Sequence, residues 1–493
     1  MNRARFKADI ITNVGLSFLV AAASLLVVKG AAKELPATML GAFLFTRRVA
    51  DAASSLLQLG TAFVIRREVA RNTRVDDRLL FTITGALILA AVAIAVALLI
   101  LSCGPWLASL LFPSLTEGAE ITRLLGLITV GLTLHYFASS LLFAQRRIVA
   151  ANLLQLANTG GWLLAGLYLW RSHVDVVRLL RLQGIASILL GTLVIIAITA
   201  RFAHEGGRVR NQDIPKALRE YAAYGLPRAV SPFGEMLIFL VGPWLLRANL
   251  SEAGYLLIAL TLVRMVQALI QPASNVIGIV SAALSGVGDD AKIHRGLRLL
   301  LGLLGGAGLA TAVLVLPWLD VLLGTWLGDS SVVAGVMPYA RVLVLTIPAV
   351  VIFQGLKEPI EMLWHAPRNL ASIGLGLIVL LGSYYACLPF VGSVNAIIVA
   401  QAASIIAIGL MTVVWVRQAL PSTGYFGVPR FLLALFAAGG ANAAVARLVN
   451  PIRGPALLAP LSAMATASLV VLALTIYRRP SPFVRDLTTF VRH

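Results

Sequence analysis

Residues 79–102, LLFTITGALILAAVAIAVALLILS, form a long apolar run without a charged side chain. A helix rises about 1.5 Å per residue, so this run is long enough to cross a hydrocarbon layer about 30 Å thick. Similar runs recur along the 493-residue chain, which is 59% hydrophobic and 12% charged, whereas soluble domains carry about 25% charged residues. Lipid admits only helices and closed barrels, and barrel strands are short and alternating. The sequence therefore predicts an all-α polytopic membrane protein.

Windows of spanning length predict about 14 transmembrane helices. They lie near residues 10–28, 38–64, 79–102, 122–144, 150–170, 182–200, 221–246, 253–283, 299–320, 337–356, 369–386, 394–416, 430–446 and 456–477. The first of them follows three basic residues, as in a signal peptide. Because its apolar run of about 19 residues is longer than the 7–15 residues usual in the apolar region of a signal peptide, we interpret it as a retained helix.

The basic residues predict the orientation. With the N-terminus inside, the inner segments hold 26 of the 40 Lys and Arg residues and the outer segments hold 8. Positive charge collects on the cytoplasmic side, so we predict a bacterial inner-membrane protein with both termini in the cytoplasm. The same bias accounts for the net charge of +19, so this charge does not indicate a nucleic-acid partner. The longest outer loop, 103–121, leaves no room for a folded domain.

The basic stretch 201–219 divides the predicted helices into two sets of six. The predicted segments are an N-terminal lobe (1–205), a C-terminal lobe (206–425), two extra helices (426–480) and a cytoplasmic tail (481–493). The second helix of each lobe carries an early glycine, Gly41 or Gly254, followed by an intramembrane arginine. This weak pseudo-symmetry is typical of parallel repeats in transporters.

Six charged side chains fall deep in the predicted helices, where each charge costs at least about 2.5–3.5 kcal/mol. They are Arg47, Arg48, Arg228, Arg264, Asp51 and Glu235. The arginines exceed the acids by two. A guanidinium group binds phosphate bidentately and stays protonated, so we predict that the four arginines line a central cavity and bind an anionic head group. The alternative is a set of structural ion pairs that lock the helices together.

The two acids have their own expected roles. Asp51 lies three and four residues after the adjacent arginines, so it can pair with either of them. Glu235 lies about 10 Å along the helix from Arg228, which is too far for a direct ion pair between them. Both acids are candidates for ion coupling, since intramembrane carboxyl groups often serve as proton relays.

Several other residues carry weaker signals. The Gly and Pro residues of helix 7, from Tyr224 onward, predict a broken helix, which marks either a moving element or a packing kink. His135 is expected to be a packed core residue. Lys357 and its acidic neighbours are expected to form a solvated cluster at the inner end of helix 10. Cys103 and Cys387 are expected to be unpaired. The sequence contains no GxxxxGK[ST] motif, and we expect no metal site, catalytic residue or cofactor.

Three segments resemble a known family. They are LGTAFVIRREVA at 59–70, YGLP at 224–227 and AGY at 253–255. With the helix layout, they make the chain similar to the polysaccharide transporter branch of the multidrug/oligosaccharidyl-lipid/polysaccharide exporter superfamily, which includes the O-antigen flippases. Residues 35–41, LPATMLG, depart from the acidic, Gly-containing turn that is usual in the family.

This resemblance implies a flippase that works by alternating access of two six-helix lobes. The implied substrate is an oligosaccharide linked to undecaprenyl pyrophosphate, moved from the inner to the outer leaflet, with Arg47, Arg48, Arg228 and Arg264 lining a cationic lumen. Expected partners are membrane lipids and polysaccharide polymerase machinery, and the expected state is a monomer. The alternatives are a lipid II flippase or a multidrug exporter of the same fold. A membrane-embedded polysaccharide polymerase or ligase is the more distant one, because such enzymes usually need a large outer loop.

Overall fold

The computed structural model describes residues 3–419, apart from residues 73, 172, 288–289 and 364–367. The predicted helices 13 and 14 and the predicted tail lie outside the described residues. Some side chains within the described helices, mainly between 272 and 299, are not described either.

The described chain is almost entirely helical, and no β-strand occurs among its described residues. The helices are α1 (Arg3–Glu34), α2 (Ala37–Leu57), α3 (Thr61–Arg71), α4 (Val75–Leu111), α5 (Gly118–Ala144), α6 (Ile148–Leu156), α7 (Trp162–Leu169), α8 (Val176–His204), α9 (Ile214–Glu220), α10 (Leu226–Leu245), α11 (Leu250–Val287), α12 (Asp290–Val315), α13 (Leu319–Leu327), α14 (Ser330–Val344), α15 (Ile347–Leu363) and α16 (Arg368–Ala419).

The helices have the dimensions and composition of membrane spans. Within the described part of the chain, eight helices are long and apolar enough to cross a membrane, or nine if one bent pair counts as a span. The twelve spans predicted between residues 10 and 416 all fall on the helices given above. The prediction of an all-α polytopic membrane protein is therefore confirmed.

The outer surfaces of α4 and α8 support the same conclusion. Ile94, Leu98 and Leu101 on α4 are 60–80% exposed, and Leu193 on α8 is 61% exposed. Such rows of large apolar side chains are unfavourable in water but suit contact with lipid tails. Polar threonines buried between the helices bond instead to carbonyls of the preceding turn, as Thr129 does to Leu125.

The prediction of one unbroken helix at 38–64 is wrong. The helix stops at Leu57, and α3 begins at Thr61 after a tight turn in which Leu59 and Gly60 have φ values of 49° and 72°. The glycine suits this turn because it lacks a Cβ atom. A Cβ atom on Gly60 would also lie 2.0 Å from the carbonyl oxygen of Gly225, so two backbones meet at the break.

The predicted span 221–246 is irregular, as expected, but the irregularity lies before its prolines. Residues Tyr221–Gly225 form a π-helical turn that joins α9 to α10. Pro227 at the start of α10 offers no N–H to the preceding turn, which favours a change in the hydrogen-bond ladder there. Pro232 and Pro243 lie within α10, which continues through both.

Two other predicted segments also differ from straight helices. The span predicted at 337–356 consists of α14 and α15, which meet at an angle of 59° after Val344. The spans predicted at 369–386 and 394–416 share α16, which is kinked at Gly392, where φ is 75°. A glycine tolerates this left-handed conformation without strain.

The first eight helices and the later ones also contact each other at the end of the bundle that the charge bias assigns to the outside. We call it the predicted outer end and the opposite one the predicted inner end. Lys29 donates to the Thr325 carbonyl at 3.2 Å, and the indole N–H of Trp326 donates to the Leu25 carbonyl at 2.9 Å. Glycine–backbone contacts between α2 and α11 lie at the same end.

Candidate functional site

The candidate site lies where α2, α5 and α11 meet. The helix α2 contributes Arg47, Arg48 and Asp51 on one turn, α5 contributes Tyr136, and α11 contributes Arg264. The packing of α2 against both α5 and α11 places these side chains together. Three of the four predicted binding arginines thus converge on one carboxylate.

Asp51 is the common partner in this group. Its Oδ2 atom lies 3.8 Å from Nη1 of Arg48 and 3.6 Å from Nη1 of Arg264. The Tyr136 side chain is hydrogen-bonded to the same carboxylate. Asp51 therefore links α2 to α11. Its partner Arg264 lies 213 residues later in the chain and belongs to the other predicted lobe.

Arg47 interacts electrostatically with Asp51 but forms its hydrogen bond elsewhere. Its Nη2 atom donates to the carbonyl of Thr159 at 3.3 Å, and its guanidinium carbon lies 5.4 Å from the centroid of the Phe43 ring. Thr159 lies in the π-helical turn Ala157–Gly161 between α6 and α7. Such turns leave carbonyl groups outside the regular ladder, so an arginine can bind one of them.

The group carries more donors than acceptors. The Nε atoms of Arg47 and Arg48 and the Nη1 atom of Arg48 are buried and have no hydrogen-bond partner. Three guanidinium groups share the single carboxylate of Asp51, which leaves two positive charges uncompensated within the group. Since unpaired buried donors are costly, the site favours an anion that brings several acceptor oxygens.

The Asp51–Arg264 pair is only partly buried. The side chain of Asp51 is 26% accessible and that of Arg264 is 29% accessible. Both members of the pair are therefore open to contact with an ion.

Glu235 has a partner of its own on α15. Its carboxylate pairs with the Lys357 ammonium at 2.5 Å and accepts a hydrogen bond from Gln354 at 2.6 Å. The side chains of both charged residues are 13% exposed. The expectation of a solvated cluster around Lys357 is therefore wrong for Lys357 itself, because α15 continues to Leu363 and buries it.

A small cleft of about 20 Å³, roughly the room that one water molecule needs, lies next to this pair. Its walls come from α10, α11, α15 and α16, and Glu235 and Gln267 are its polar members. The remaining lining is apolar, including Phe239 and Phe353. The Lys357 ammonium already neutralises Glu235, so the cleft offers little attraction for a further cation.

Arg228 does not join the Asp51 group, in contrast to the prediction. It is exposed, donates from Nη1 to the Tyr224 carbonyl at 3.3 Å and stacks over the Tyr224 ring at 3.9 Å. The π-helical turn before α10 sets this position, because it adds a residue per turn and rotates the following face. Arg67 of α3 lies over the same ring, at 4.3 Å.

The remaining candidates behave as simple structural residues. His135 is 1% exposed, packs edge-on against Tyr136, and its Nδ1 atom has no hydrogen-bond partner. Cys103 and Cys387 are free, as expected. In the described part of the chain, no three His, Cys, Asp or Glu side chains group as metal ligands.

Sequence patterns alone missed two contributors to these sites. Tyr136 gave no signal, because one tyrosine in an apolar helix is ordinary. Thr159 acts through its main-chain carbonyl, which becomes available only because of the local π-helical turn. The pair of Glu235 and Lys357 was detectable as two charges in different spans, although nothing in the sequence fixes that α10 and α15 are neighbours.

No protein-family model matches the sequence, and a search of curated proteins finds no similar sequence. Solved structures, in contrast, are similar in fold. The lipid II flippase MurJ in an inward closed conformation has a TM-score of 0.71 at 13% identity, and the alignment covers 95% of this chain and 99% of that one. The chain therefore shares its fold with this solved structure.

Two further structures extend this likeness. An inward-facing multidrug resistance MATE family transporter of the MOP superfamily has a TM-score of 0.64 at 12% identity, covering 83% of this chain and 97% of that one. A MOP superfamily transporter from Pyrococcus furiosus has a TM-score of 0.57 at 13% identity, covering 83% and 95%. These structures show that the chain has the same fold, and the superfamily and its O-antigen branch stay predictions.

Proposed function

We propose that this protein is a flippase that moves an oligosaccharide linked to undecaprenyl pyrophosphate from the inner to the outer leaflet of the bacterial inner membrane. The observation that carries the proposal is the excess of arginine at the Asp51 group. Arg47, Arg48 and Arg264 share a single carboxylate, and three of their buried N–H donors lack partners.

A diphosphate fits this group better than other ligands. It carries at least two negative charges, which matches the two uncompensated positive charges. Its oxygens accept the paired N–H donors of a guanidinium fork with favourable geometry. An organic cation would be repelled by the same group, so the excess of arginine disfavours a drug exporter for cations.

Alternating access is the mechanism we infer, with residues 1–205 and 206–425 as the two moving lobes. In support, the Asp51–Arg264 pair crosses between these segments at the site. Contacts between the same segments close the predicted outer end, including Lys29 with Thr325. Binding of a diphosphate would compete with Asp51 for Arg264 and so weaken the link between the lobes.

Asp51 and Glu235 are the proposed candidates for ion coupling. The Glu235 carboxylate is already held in an ion pair with the Lys357 ammonium. Asp51 is accessible and contacts its arginines at longer distances. A coupling proton or the bound substrate would therefore act first at Asp51.

A lipid II flippase is the second candidate, and the likeness to MurJ over 95% of this chain favours it. A polysaccharide polymerase or ligase is a weaker one, because such enzymes usually need a large outer loop and the predicted outer loops here are short. The inner-membrane location, the cytoplasmic termini, a monomeric state and a polymerase partner are parts of the same proposal. They rest on the charge bias of the loops and on the resemblance.

The decisive experiment is a flipping assay in vesicles. Purified protein is reconstituted with a fluorescent lipid-linked oligosaccharide, and the fraction that becomes accessible to a soluble glycosidase or quencher is followed with time. Lipid II and an organic cation are run in parallel. We expect movement of the lipid-linked oligosaccharide, whereas faster movement of lipid II would favour the second candidate. Movement of the cation alone would reject both.

A further inference from the structure

A second group of arginines surrounds Tyr224 at the predicted inner end. The guanidinium carbons of Arg67 and Arg228 lie 4.3 Å and 3.9 Å from the centroid of its ring. The Tyr224 side chain also interacts electrostatically with Arg66. Three guanidinium groups, two from α3 and one from α10, therefore converge on one tyrosine.

Two of these arginines keep donors available for a ligand. Arg66 donates from Nε to the Ala62 carbonyl at 3.2 Å and stacks over Phe63 at 5.2 Å. Arg228 donates to the Tyr224 carbonyl. Among the described residues, neither has a carboxylate within 4.0 Å of its guanidinium nitrogens. The aromatic rings hold both side chains in place while the ends of their forks stay open.

Arg67 is bound more firmly. Its Nε atom lies 3.1 Å from the Glu68 carboxylate, and its Nη1 atom lies 4.0 Å from that of Glu220. It therefore fixes the Tyr224 ring between α3 and the π-helical turn before α10. Arg66 and Arg228 remain as the groups that can bind an anion. Gly225, whose backbone contacts Gly60, directly follows Tyr224 in the chain.

Arg66 is exposed. Its largest electrostatic partner is Glu358 on α15, which belongs to the other predicted lobe. The arginines around Tyr224 therefore lie where the two predicted lobes approach each other, on the side from which a cytoplasmic substrate would arrive.

We propose that Arg66 and Arg228, positioned by Tyr224, form a docking site for the diphosphate of the lipid-linked substrate. This proposal rests on the proposed function and adds a first binding step to it. Along α2 and α3 the two sites are roughly 20–25 Å apart, so one diphosphate cannot contact both. The head group docks at the Tyr224 site, and it then moves to the Asp51 group, where it weakens the link between the lobes.

Measurements of binding and of flipping distinguish docking at the Tyr224 site from the later step at the Asp51 group. The protein is placed in phosphatidylcholine nanodiscs, and undecaprenyl pyrophosphate is titrated, with undecaprenol as the uncharged comparison and inorganic pyrophosphate as the lipid-free one. Initial flipping rates are measured in vesicles at several substrate concentrations. The variants are R66Q/R228Q, R66K/R228K and, as the control, Arg74→Gln, which removes an exposed arginine of the same side.

We expect R66Q/R228Q to weaken undecaprenyl pyrophosphate binding by roughly tenfold or more and to raise the half-saturating concentration for flipping by a similar factor. The maximal rate should change little, R66K/R228K should recover part of the affinity, and Arg74→Gln should resemble the wild type. Stronger binding of inorganic pyrophosphate than of the lipid would assign the site to a soluble diphosphate and overturn the proposal.

A lower maximal rate with unchanged half-saturation would also overturn it, because the arginines would then act only on the conformational change. If R66Q/R228Q fails to fold, unchanged affinity of a folded R66K/R228K with Tyr224→Leu added would reject the site. Failure of the proposed function looks different: the wild type would bind undecaprenyl pyrophosphate at the Tyr224 site but would not move it between leaflets.

Discussion

A Cβ atom on Gly41 would lie 1.7 Å from the carbonyl oxygen of Leu250, so α2 and α11 touch through their backbones at the predicted outer end. Gly254 takes part in the same contact, since its Cβ atom would lie 2.7 Å from the Cα atom of Gly41. These are the two glycines that the sequence places at equivalent positions of the two predicted lobes, and close contact between them requires that both lack side chains.

Gly41→Val should open the predicted outer end. The added side chain meets backbone that cannot rotate away, and such overpacking costs about 1–3 kcal/mol. We expect the outward-open population to rise and flipping to slow, as measured by maleimide labelling of a cysteine at position 38 and by vesicle assays. Gly104→Val is the control, because no atom lies within 4 Å of its Cβ position. Equal labelling in both variants would contradict the assigned gate.

A disulfide across the same gate should stop transport reversibly. The hydroxyl groups of Thr38 and Ser251 lie 3.2 Å apart on α2 and α11, which suits the short span of a disulfide. In a background without Cys103 and Cys387, we expect T38C/S251C to cross-link on oxidation and to lose flipping, and reductant should restore it. T38C alone is the control. Full transport by the cross-linked protein would show that this end does not open.

Asp51→Asn should destabilise the empty protein, because it leaves three guanidinium groups without a counterion. Removing one partner from a buried ion pair costs about 3–5 kcal/mol, and the partial accessibility of Asp51 places this site at or below the lower value. Added undecaprenyl pyrophosphate should raise the unfolding temperature of the variant more than that of the wild type, because it replaces the missing charge. Asp320→Asn, at an exposed site, serves as the control. Equal shifts would argue against an anion site.

The pair of Glu235 and Lys357 should behave as a unit. Either E235Q or K357M alone leaves a buried charge, which costs about 3–5 kcal/mol, whereas the double variant should be much closer to the wild type. A double-mutant cycle of unfolding free energies is expected to give a coupling of about 1–3 kcal/mol. The exposed pair of Arg181 and Glu120, at 2.9 Å, should give about 0–1 kcal/mol. Additive effects at both pairs would refute this assignment.

Arg48→Gln and Arg264→Gln should reduce the maximal flipping rate if the Asp51 group binds the head group. Arg→Lys at the same positions should keep part of the activity if charge alone matters, and little if the bidentate fork is required. Arg123→Gln is the matched control, since Arg123 lies exposed near the start of α5. Full activity of both folded glutamine variants would reject the site.

The sequence predicts the helical spans well, because apolar runs of spanning length depend only on composition. It cannot predict where a span is interrupted when the interruption depends on packing. Gly60 looks like any other glycine until Gly225 of a distant helix is placed against it. The bend between α14 and α15 differs in this respect, because Pro348 at the second position of α15 has no N–H for the preceding turn and so gives a local signal.

The same limit applies to the site. The unusual positions of Arg47, Arg48 and Asp51 are readable from one helix, since they occupy a single turn. The contact of Arg264 with Asp51 depends on the packing of α11 against α2, and the sequence supplies only the fact that both charges need partners. The sequence pattern assigns Arg228 to the central cavity for the same reason. The π-helical turn before it shifts the chain by one residue and changes the helix face on which Arg228 lies.

The turn at Leu59 and Gly60 also has a mechanical consequence. It divides the second span into two short rods, with Arg48 and Asp51 on one and Arg66 and Arg67 on the other. Because the helical hydrogen-bond ladders of α2 and α3 already end at this joint, a change in the angle between the rods would break no hydrogen bond within either rod. If the protein is a flippase as proposed, α3 could therefore bind a head group at the Tyr224 site while α2 keeps its backbone contact with α11 at the predicted outer end.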